Sequence, residues 1–145
     1  MPVVKKTALV HHSAEEIYAL VNDVESYPEF LPWCKSTRLL SRTEEEVCGE
    51  LEVSRIGISQ KFSTCNRLHP CDRIDIRLLE GPFKHLHGSW HFKQLSDSGC
   101  KVLLELEFEF SGKLINKAFG VLFNQIANNL VDAFCKRARA VYRAG

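Results

Sequence analysis

The fold is decided by residues 101–110, which read KVLLELEFEF. Apart from Leu103, apolar residues alternate with charged residues along this stretch. Successive side chains of a β-strand point to opposite faces of the sheet, so the alternation predicts a strand with one buried and one solvated face. The solvated face carries Glu105, Glu107 and Glu109, which is the usual place for charges.

The same period of two extends through the segment before this strand. Residues 85–92 and 47–53 alternate in the same way, and Ile58 with Phe62 marks a further strand. Turn-forming residues separate the strands, at Gly57 and at positions 69–72, 81–82 and 96–99. Strands joined by such short turns predict an antiparallel meander.

The chain begins with a shorter strand and ends with a long helix. Residues 3–10 predict a first strand, and Ser13 with Glu16 forms a capping box that starts a short helix. Two prolines within residues 26–33 predict a helical turn there. After the meander, apolar residues recur every three or four positions, which predicts a helix from about Gly112 to Tyr142.

A curved sheet and a long helix that each have one apolar face bury those faces against each other. The sequence therefore predicts an α+β fold, in which an antiparallel sheet of about seven strands wraps around the C-terminal helix. Two short helices follow the first strand. We expect residues 1–145 to form a single domain, with a cleft between sheet and helix.

The composition excludes several classes of protein. The 19 Lys and Arg residues balance the 18 Asp and Glu residues to a net charge of +1, which excludes nucleic-acid binding through bulk charge. No apolar run approaches the roughly 20 residues of a membrane span. We expect a cytoplasmic protein, with peripheral contact to the inner membrane as the alternative. The six cysteines show no C-x-x-C spacing and are expected to be reduced thiols.

Three segments resemble one branch of a known superfamily. Residues 27–34, YPEFLPWC, are similar to its Y-P-x-F-L-P-W-C signature, and residues 81–92, GPFKHLHGSWHF, to its G-P-F-K/R-x-L-x-G-x-W-x-F strand. Residues 123–142 resemble its closing helix. The branch is that of the coenzyme Q-binding proteins and the ribosome association toxin RatA, within the START-like (polyketide cyclase/dehydrase) superfamily.

The resemblance implies a helix-grip fold, a hydrophobic cavity and a non-enzymatic role with no cofactor. We interpret the protein mainly as a binder of an isoprenoid quinone such as ubiquinone, supporting respiratory quinone function. The alternative is a toxin-like protein that binds the large ribosomal subunit and blocks subunit joining. A weaker alternative is a polyketide cyclase or dehydratase, although no catalytic residues are recognisable.

The predicted ligand-binding residues are the inward-facing side chains of the strands and the last helix. Their aromatic richness suits a flat quinone head. The alternative is that these side chains form only a core. They are Leu51, Val53, Phe62, Trp90, Phe92, Leu104, Leu106, Phe108, Phe119, Phe123, Ile126 and Phe134.

Two further sets of residues are interpreted as surface contacts. The first is a lid or partner-binding loop, with a structural plug as its alternative; it comprises Tyr27, Pro28, Phe30, Pro32 and Trp33. The second is an RNA contact at the basic end of the last helix, with complementation of the helix dipole as its alternative; it comprises Lys136, Arg137, Arg139 and Arg143. His85, His87 and His91 share a solvent-facing strand face, and no metal site is predicted.

Overall fold

The computed structural model describes residues 3–55, 57–111 and 117–142. Its elements follow the predicted order of strand, short helices, six strands and long helix. They are β1 (Val3–Val10), α1 (Ala14–Asn22), a 3-10 helix (Val24–Glu29), β2 (Cys34–Arg42), β3 (Glu46–Arg55), β4 (Ile58–His69), β5 (Arg73–Glu80), β6 (Phe83–Ser96), β7 (Gly99–Phe110) and α2 (Lys117–Val141).

The seven strands form one antiparallel sheet in the order β1-β7-β6-β5-β4-β3-β2. The meander from β2 to β7 follows from the short turns. Strand β1 pairs with β7, with Val3 opposite Glu107 at one end and Val10 opposite Cys100 at the other. Strands β6 and β7 approach so closely at Gly88 that a Cβ atom there would collide with the carbonyl oxygen of Glu105. The predicted α+β helix-grip architecture is confirmed.

The helices begin and end largely where the sequence predicts. The Ser13 hydroxyl accepts a hydrogen bond from the Glu16 amide at 3.1 Å, and the Glu16 carboxylate accepts one from the Ser13 amide at 2.9 Å. This capping box satisfies two amides that would otherwise lack partners at the start of α1. Helix α2 ends one residue before the predicted Tyr142. Its predicted start at Gly112 lies outside the described residues.

The core lies between the concave face of the sheet and α2. Phe108 of β7, together with Phe119 and Phe134 of α2, is among its largest fully buried side chains. One end of the core gathers Phe62, Phe83 and Phe123, whose rings meet edge to face at 4.9–5.9 Å. The other end packs around Trp90 and includes α1.

One cysteine pair differs from the expectation of reduced thiols. Cys48 of β3 and Cys65 of β4 face each other across the hairpin and form a disulfide. Cys48 precedes Arg55 by as many residues as Cys65 follows Ile58, and Arg55 pairs with Ile58 at the turn, so the register of the hairpin places the two cysteines together. The expectation was therefore wrong for this pair, because spacing along the chain does not reveal a cross-strand neighbour. Cys34, Cys71, Cys100 and Cys135 are free.

Candidate functional site

An apolar cavity of about 100 Å³ lies between the concave face of the sheet and α2. Its wall combines side chains from β3 to β7 with the inner face of α2 and with residues near the 3-10 helix. The lining residues are Val24, Tyr27, Trp33, Gly49, Leu51, Phe62, Thr64, Asn66, Ile76, Leu86, Trp90, Leu106, Phe123, Ile126, Ala127, Leu130 and Phe134.

Seven of the twelve predicted ligand-binding residues line this cavity, namely Leu51, Phe62, Trp90, Leu106, Phe123, Ile126 and Phe134. The other five are buried in the surrounding core and do not line it; they are Val53, Phe92, Leu104, Phe108 and Phe119. Alternation identifies the face of a strand, but it does not show where along that face the helix leaves a gap. For the seven residues that line the cavity, contact with a ligand remains a prediction.

Two polar side chains in the cavity wall, Thr64 and Asn66, were missed in the sequence. Both lie on β4 on the same face as Phe62, so extending the period of two from Ile58 would have found them. Asn66 Oδ1 is shielded from solvent and has no hydrogen-bond partner among the described residues. Such a buried oxygen is unusual, because most buried polar atoms are paired.

Tyr27 is the titratable side chain among the described lining residues, and its hydroxyl is already engaged. It donates a hydrogen bond to the carbonyl oxygen of Val21. Burial raises the pKa of this phenol well above its ordinary value, and the nearby Cys34 and Asp23 act in the same direction. Tyr27 is therefore a neutral group that anchors the 3-10 helix.

The segment predicted as a lid or a plug divides into two parts. Tyr27 and Phe30 pack edge to face on Phe134 of α2, with ring centroids 5.4 and 5.3 Å apart, as a plug would. Pro28 and Pro32 are exposed. Trp33, the fifth residue of the set, lines the cavity from one side and an open groove from the other.

That groove has a volume of about 730 Å³ and runs along the outer face of α2. It contains Phe30, Pro32 and Trp33 on one wall, and the exposed cations Arg55 and Lys136. Asp132 supplies one opposing charge. The groove therefore combines aromatic surface with positive charge.

The predicted basic patch does not form one surface. Lys136 and Arg137 line the groove, whereas Arg139 lines a separate depression with residues of β1. Arg137 forms an ion pair of 3.1 Å with Glu29, and its guanidinium lies 4.9 Å from the centroid of the Phe30 ring. Its charge is thus partly neutralised. Arg143 lies outside the described residues.

The histidines of β6 have carboxylate neighbours across the sheet. His87 Nε2 lies 3.2 Å from Glu107, and His85 Nδ1 lies 4.0 Å from Glu109, because strand register places the residues opposite one another. Within the described ranges, the one group of three side chains with metal-ligand spacing is Glu46, Cys48 and Cys65, and its two sulfur atoms are joined in the disulfide. No described helix is long and apolar enough to cross a bilayer.

Comparison with known proteins identifies relatives that cover the whole fold. The chain is 48% identical to the ribosome association toxin RatA of Vibrio cholerae over 142 residues, 98% of this chain and 99% of the relative. It is 29% identical to the mitochondrial coenzyme Q-binding protein COQ10 homolog B of Xenopus laevis over 134 residues, which covers 90% of this chain and 55% of that protein.

Solved structures show the same architecture. The Zhui aromatase/cyclase of a Streptomyces species superposes with a TM-score of 0.83 at 18% identity, covering 99% of this chain and 96% of the enzyme. At that identity the likeness concerns the fold alone. The family model for polyketide cyclase/dehydrase and lipid transport proteins matches residues 10–135. The chain therefore belongs to the polyketide cyclase/dehydrase and lipid transport family, which is START-like in fold.

Proposed function

We propose that this protein binds the large ribosomal subunit and opposes its joining with the small subunit. The observation that carries the proposal is the similarity to RatA of Vibrio cholerae, which extends over 98% of this chain and 99% of the relative. Because the match leaves almost no part of either chain unaccounted for, the role in the relative's name is the best guide to this protein.

The groove on the outer face of α2 is the contact surface that we assign to the ribosome. Arg55 and Lys136 are exposed and can approach RNA phosphates, while the adjoining Trp33 ring can stack on an unpaired base. Arg137 contributes less charge, because Glu29 already pairs with it. Contact through a few cations agrees with the near-zero net charge of the whole chain.

The test is cosedimentation of the purified protein with isolated large ribosomal subunits. We expect binding that weakens steeply as salt concentration rises, together with a reduced yield of joined ribosomes when small subunits are added. The double substitution Arg55→Glu and Lys136→Glu should lower the affinity by about tenfold or more, because it replaces attraction to phosphate with repulsion.

Lys101→Glu is the matched control. Lys101 is an exposed cation on β7, opposite Lys93 and away from the groove, so its reversal should leave affinity almost unchanged. Equal binding by the wild type and the double variant would exclude the groove as the contact. Absence of any binding to the large subunit would refute the proposed function itself.

A second candidate function is the binding of an apolar ligand, for which we propose an isoprenoid quinone. The apolar, aromatic lining of the cavity beneath α2 is the observation that favours it. A cavity of roughly 150 Å³ accommodates benzene. The cavity of this protein measures about 100 Å³, so it must widen before a quinone head can enter. We expect most of the isoprenoid tail to remain outside the cavity.

We further propose that this binding involves no catalysis. The polar side chains in the cavity wall, Thr64 and Asn66, are not titratable, and the Tyr27 hydroxyl is committed to the Val21 carbonyl. General acid–base catalysis needs a group that can exchange a proton near the working pH. The described cavity lining supplies no such group.

Solvent extraction of protein purified without detergent tests the ligand. We expect mass spectrometry of the extract to show a quinone in near-stoichiometric amount. Ala127→Leu should abolish its recovery, because the larger side chain fills the cavity from α2. Lys101→Glu should retain it. Recovery that is unchanged in Ala127→Leu would place the quinone elsewhere, and an empty wild-type protein would refute this second function.

A further inference from the structure

The convex face of the sheet carries a cluster of three side chains with metal-ligand spacing. Cys48 of β3 and Cys65 of β4 lie opposite each other, with their Cα atoms 4.1 Å apart. The next residue, Gly49, lines the cavity, so Cys48 points to the other face of the sheet, as does Glu46 two residues earlier. The two sulfur atoms and one oxygen of Glu46 all lie within 4.8 Å of one another.

The two carboxylate oxygens of Glu46 have different neighbours. Oε1 lies 3.6 Å from Cys48 Sγ, whereas Oε2 lies 3.4 Å from Nη2 of Arg77. Arg77 belongs to β5 and pairs with Cys65 in the sheet, so it flanks the cluster. Carboxylates that bind metals are commonly held by such an outer partner. Arg77 therefore orients Glu46 with one oxygen toward the sulfur atoms.

This set of atoms suits a thiophilic divalent ion. Thiolates favour Zn²⁺ and similar ions, whereas Mg²⁺ and Ca²⁺ prefer oxygen ligands. A sulfur and an oxygen bound to one tetrahedral Zn²⁺ lie about 3.6 Å apart, which matches the distance between Cys48 Sγ and Glu46 Oε1. Three protein ligands and a water molecule complete a tetrahedral zinc site. The positive charge of Arg77 offsets the excess negative charge of two thiolates and a carboxylate on a divalent ion.

The disulfide and a bound ion exclude each other, because a cysteine binds metal as a thiolate and the two sulfur atoms are here bonded to each other. A dithiol reductant opens the cluster by thiol–disulfide exchange. It transfers two electrons and two protons to the protein, so the S–S bond breaks, two thiols form and the reductant becomes a disulfide. The ion then displaces both thiol protons, which pass to water.

We propose that Cys48, Cys65 and Glu46, once the disulfide is reduced, bind a thiophilic divalent ion such as Zn²⁺. The disulfide is the oxidised, closed state of this site. The redox state of the surroundings thus determines whether an ion binds. The inference is independent of both candidate functions, because none of the three ligands lines the cavity or the groove.

The test titrates the full chain with Cd²⁺ in its oxidised and reduced forms. Alkylation and mass spectrometry should find four free thiols in the oxidised form, and all six after dithiothreitol is added and then removed without air. We expect the reduced protein to bind one Cd²⁺ ion tightly, with the ultraviolet charge-transfer absorption of a cadmium thiolate, and the oxidised protein to show neither. Zn²⁺ should raise the Tm of the reduced form alone.

Glu46→Gln and Glu50→Gln are a matched pair of variants. The two glutamates flank Cys48 on the same face of β3, but Glu50 pairs with Arg38 at 3.9 Å and lies outside the cluster. Glu46→Gln should weaken Cd²⁺ binding to the reduced protein by about tenfold or more, because even outer partners of a metal contribute 10–100-fold. Glu50→Gln should leave the affinity almost unchanged. Equal weakening by both substitutions would show that Glu46 is not a ligand and would overturn the three-ligand site.

Cysteine variants locate the bound ion. Cys48→Ser should abolish the charge-transfer absorption, whereas Cys71→Ser, which changes an exposed thiol between β4 and β5, should retain it. Circular dichroism checks the fold of Cys48→Ser, and Glu46→Gln tests the site with both cysteines in place. Absorption that persists in Cys48→Ser would place the ion on other cysteines and refute the site. A reduced wild type that binds no Cd²⁺, or an oxidised form that binds it equally well, would also refute the inference.

Discussion

The inner and outer faces of α2 border two different spaces. The inner face, with Phe123 and Ala127, closes a small aromatic cavity whose wall includes Asn66. The outer face, with Gln125 and Lys136, borders a larger open groove with exposed cations. Because the two spaces share one helix but few side chains, we expect substitutions to alter the proposed ligand binding and the proposed ribosome binding separately.

The difference also concerns stability. Side chains on the inner face are surrounded by rings and contribute through burial, whereas those on the outer face contribute mainly charge. A function of the cavity is therefore difficult to change without changing the fold, while a function of the groove is open to surface substitution.

The largest effect is expected from truncating the inner face. Phe123→Ala removes a ring that lies 4.9 Å from both Phe83 and Phe108, and should lower the free energy of unfolding by about 3–5 kcal/mol. Urea denaturation measures this loss. Gln125→Ala, two residues away on the outer face, should change it by less than about 0.5 kcal/mol. Similar losses in both variants would contradict the expected difference in stability between the inner and outer faces of α2.

A smaller effect is expected from Cys34, which follows Trp33 where the cavity and the groove meet. Burial raises the pKa of its thiol from 9.0 to about 11. The folded state therefore favours the neutral thiol, and this contribution is present below pH 9 and lost as the pH rises toward 11.

Between about pH 8 and pH 11 the wild type should lose about 1–2 kcal/mol more stability than Cys34→Ala. Denaturant titrations at a series of pH values measure the difference. Parallel pH profiles for the two proteins would show that Cys34 is hydrated in the folded state.

The Arg137 cluster should have a still smaller effect. Arg137→Met removes the ion pair with Glu29 and the cation–π contact with Phe30, and should lower the free energy of unfolding by about 0.5–1 kcal/mol. Glu29→Gln removes the ion pair and keeps the contact between Arg137 and the Phe30 ring. Denaturant titrations of this variant therefore separate the contribution of the ion pair from that of the ring contact. If Arg137→Met lowered the free energy of unfolding by more than about 2 kcal/mol, Arg137 would contribute to stability as a core residue does, and not as a residue of the groove.

The smallest effect on stability is expected for the double variant that tests the proposed ribosome contact. Arg55→Glu combined with Lys136→Glu should change the free energy of unfolding by less than about 0.5 kcal/mol, because both side chains are exposed. Circular dichroism during urea denaturation checks that the fold is intact. A large loss of stability would mean that the binding defect of this variant cannot be attributed to the groove.

Most of the fold was predictable because it depends on local patterns. The alternation in residues 101–110, the Ser13 capping box and the turn residues each fix a strand or helix without reference to distant parts of the chain. The same patterns identified the aromatic residues of the inner face. They also led to Phe108 and Phe119, which are equally apolar but lie in the solid core.

Three features were decided only by the tertiary structure. Cys48 meets Cys65 because hairpin register joins residues 17 positions apart. Arg137 is neutralised by Glu29, which lies 108 residues away. Asn66 borders the cavity, and its Oδ1 atom has no hydrogen-bond partner among the residues that the structure describes.

The sequence by itself thus determined the order of the elements, the apolar faces and the family. The tertiary structure decided which side chains border a cavity, which charges remain free and which of the described buried polar atoms are unpaired. The physical reason is that periodicity reports how each residue faces its own strand or helix. Cavities, ion pairs and unsatisfied atoms depend on the distance between elements, which is set by packing over the whole domain.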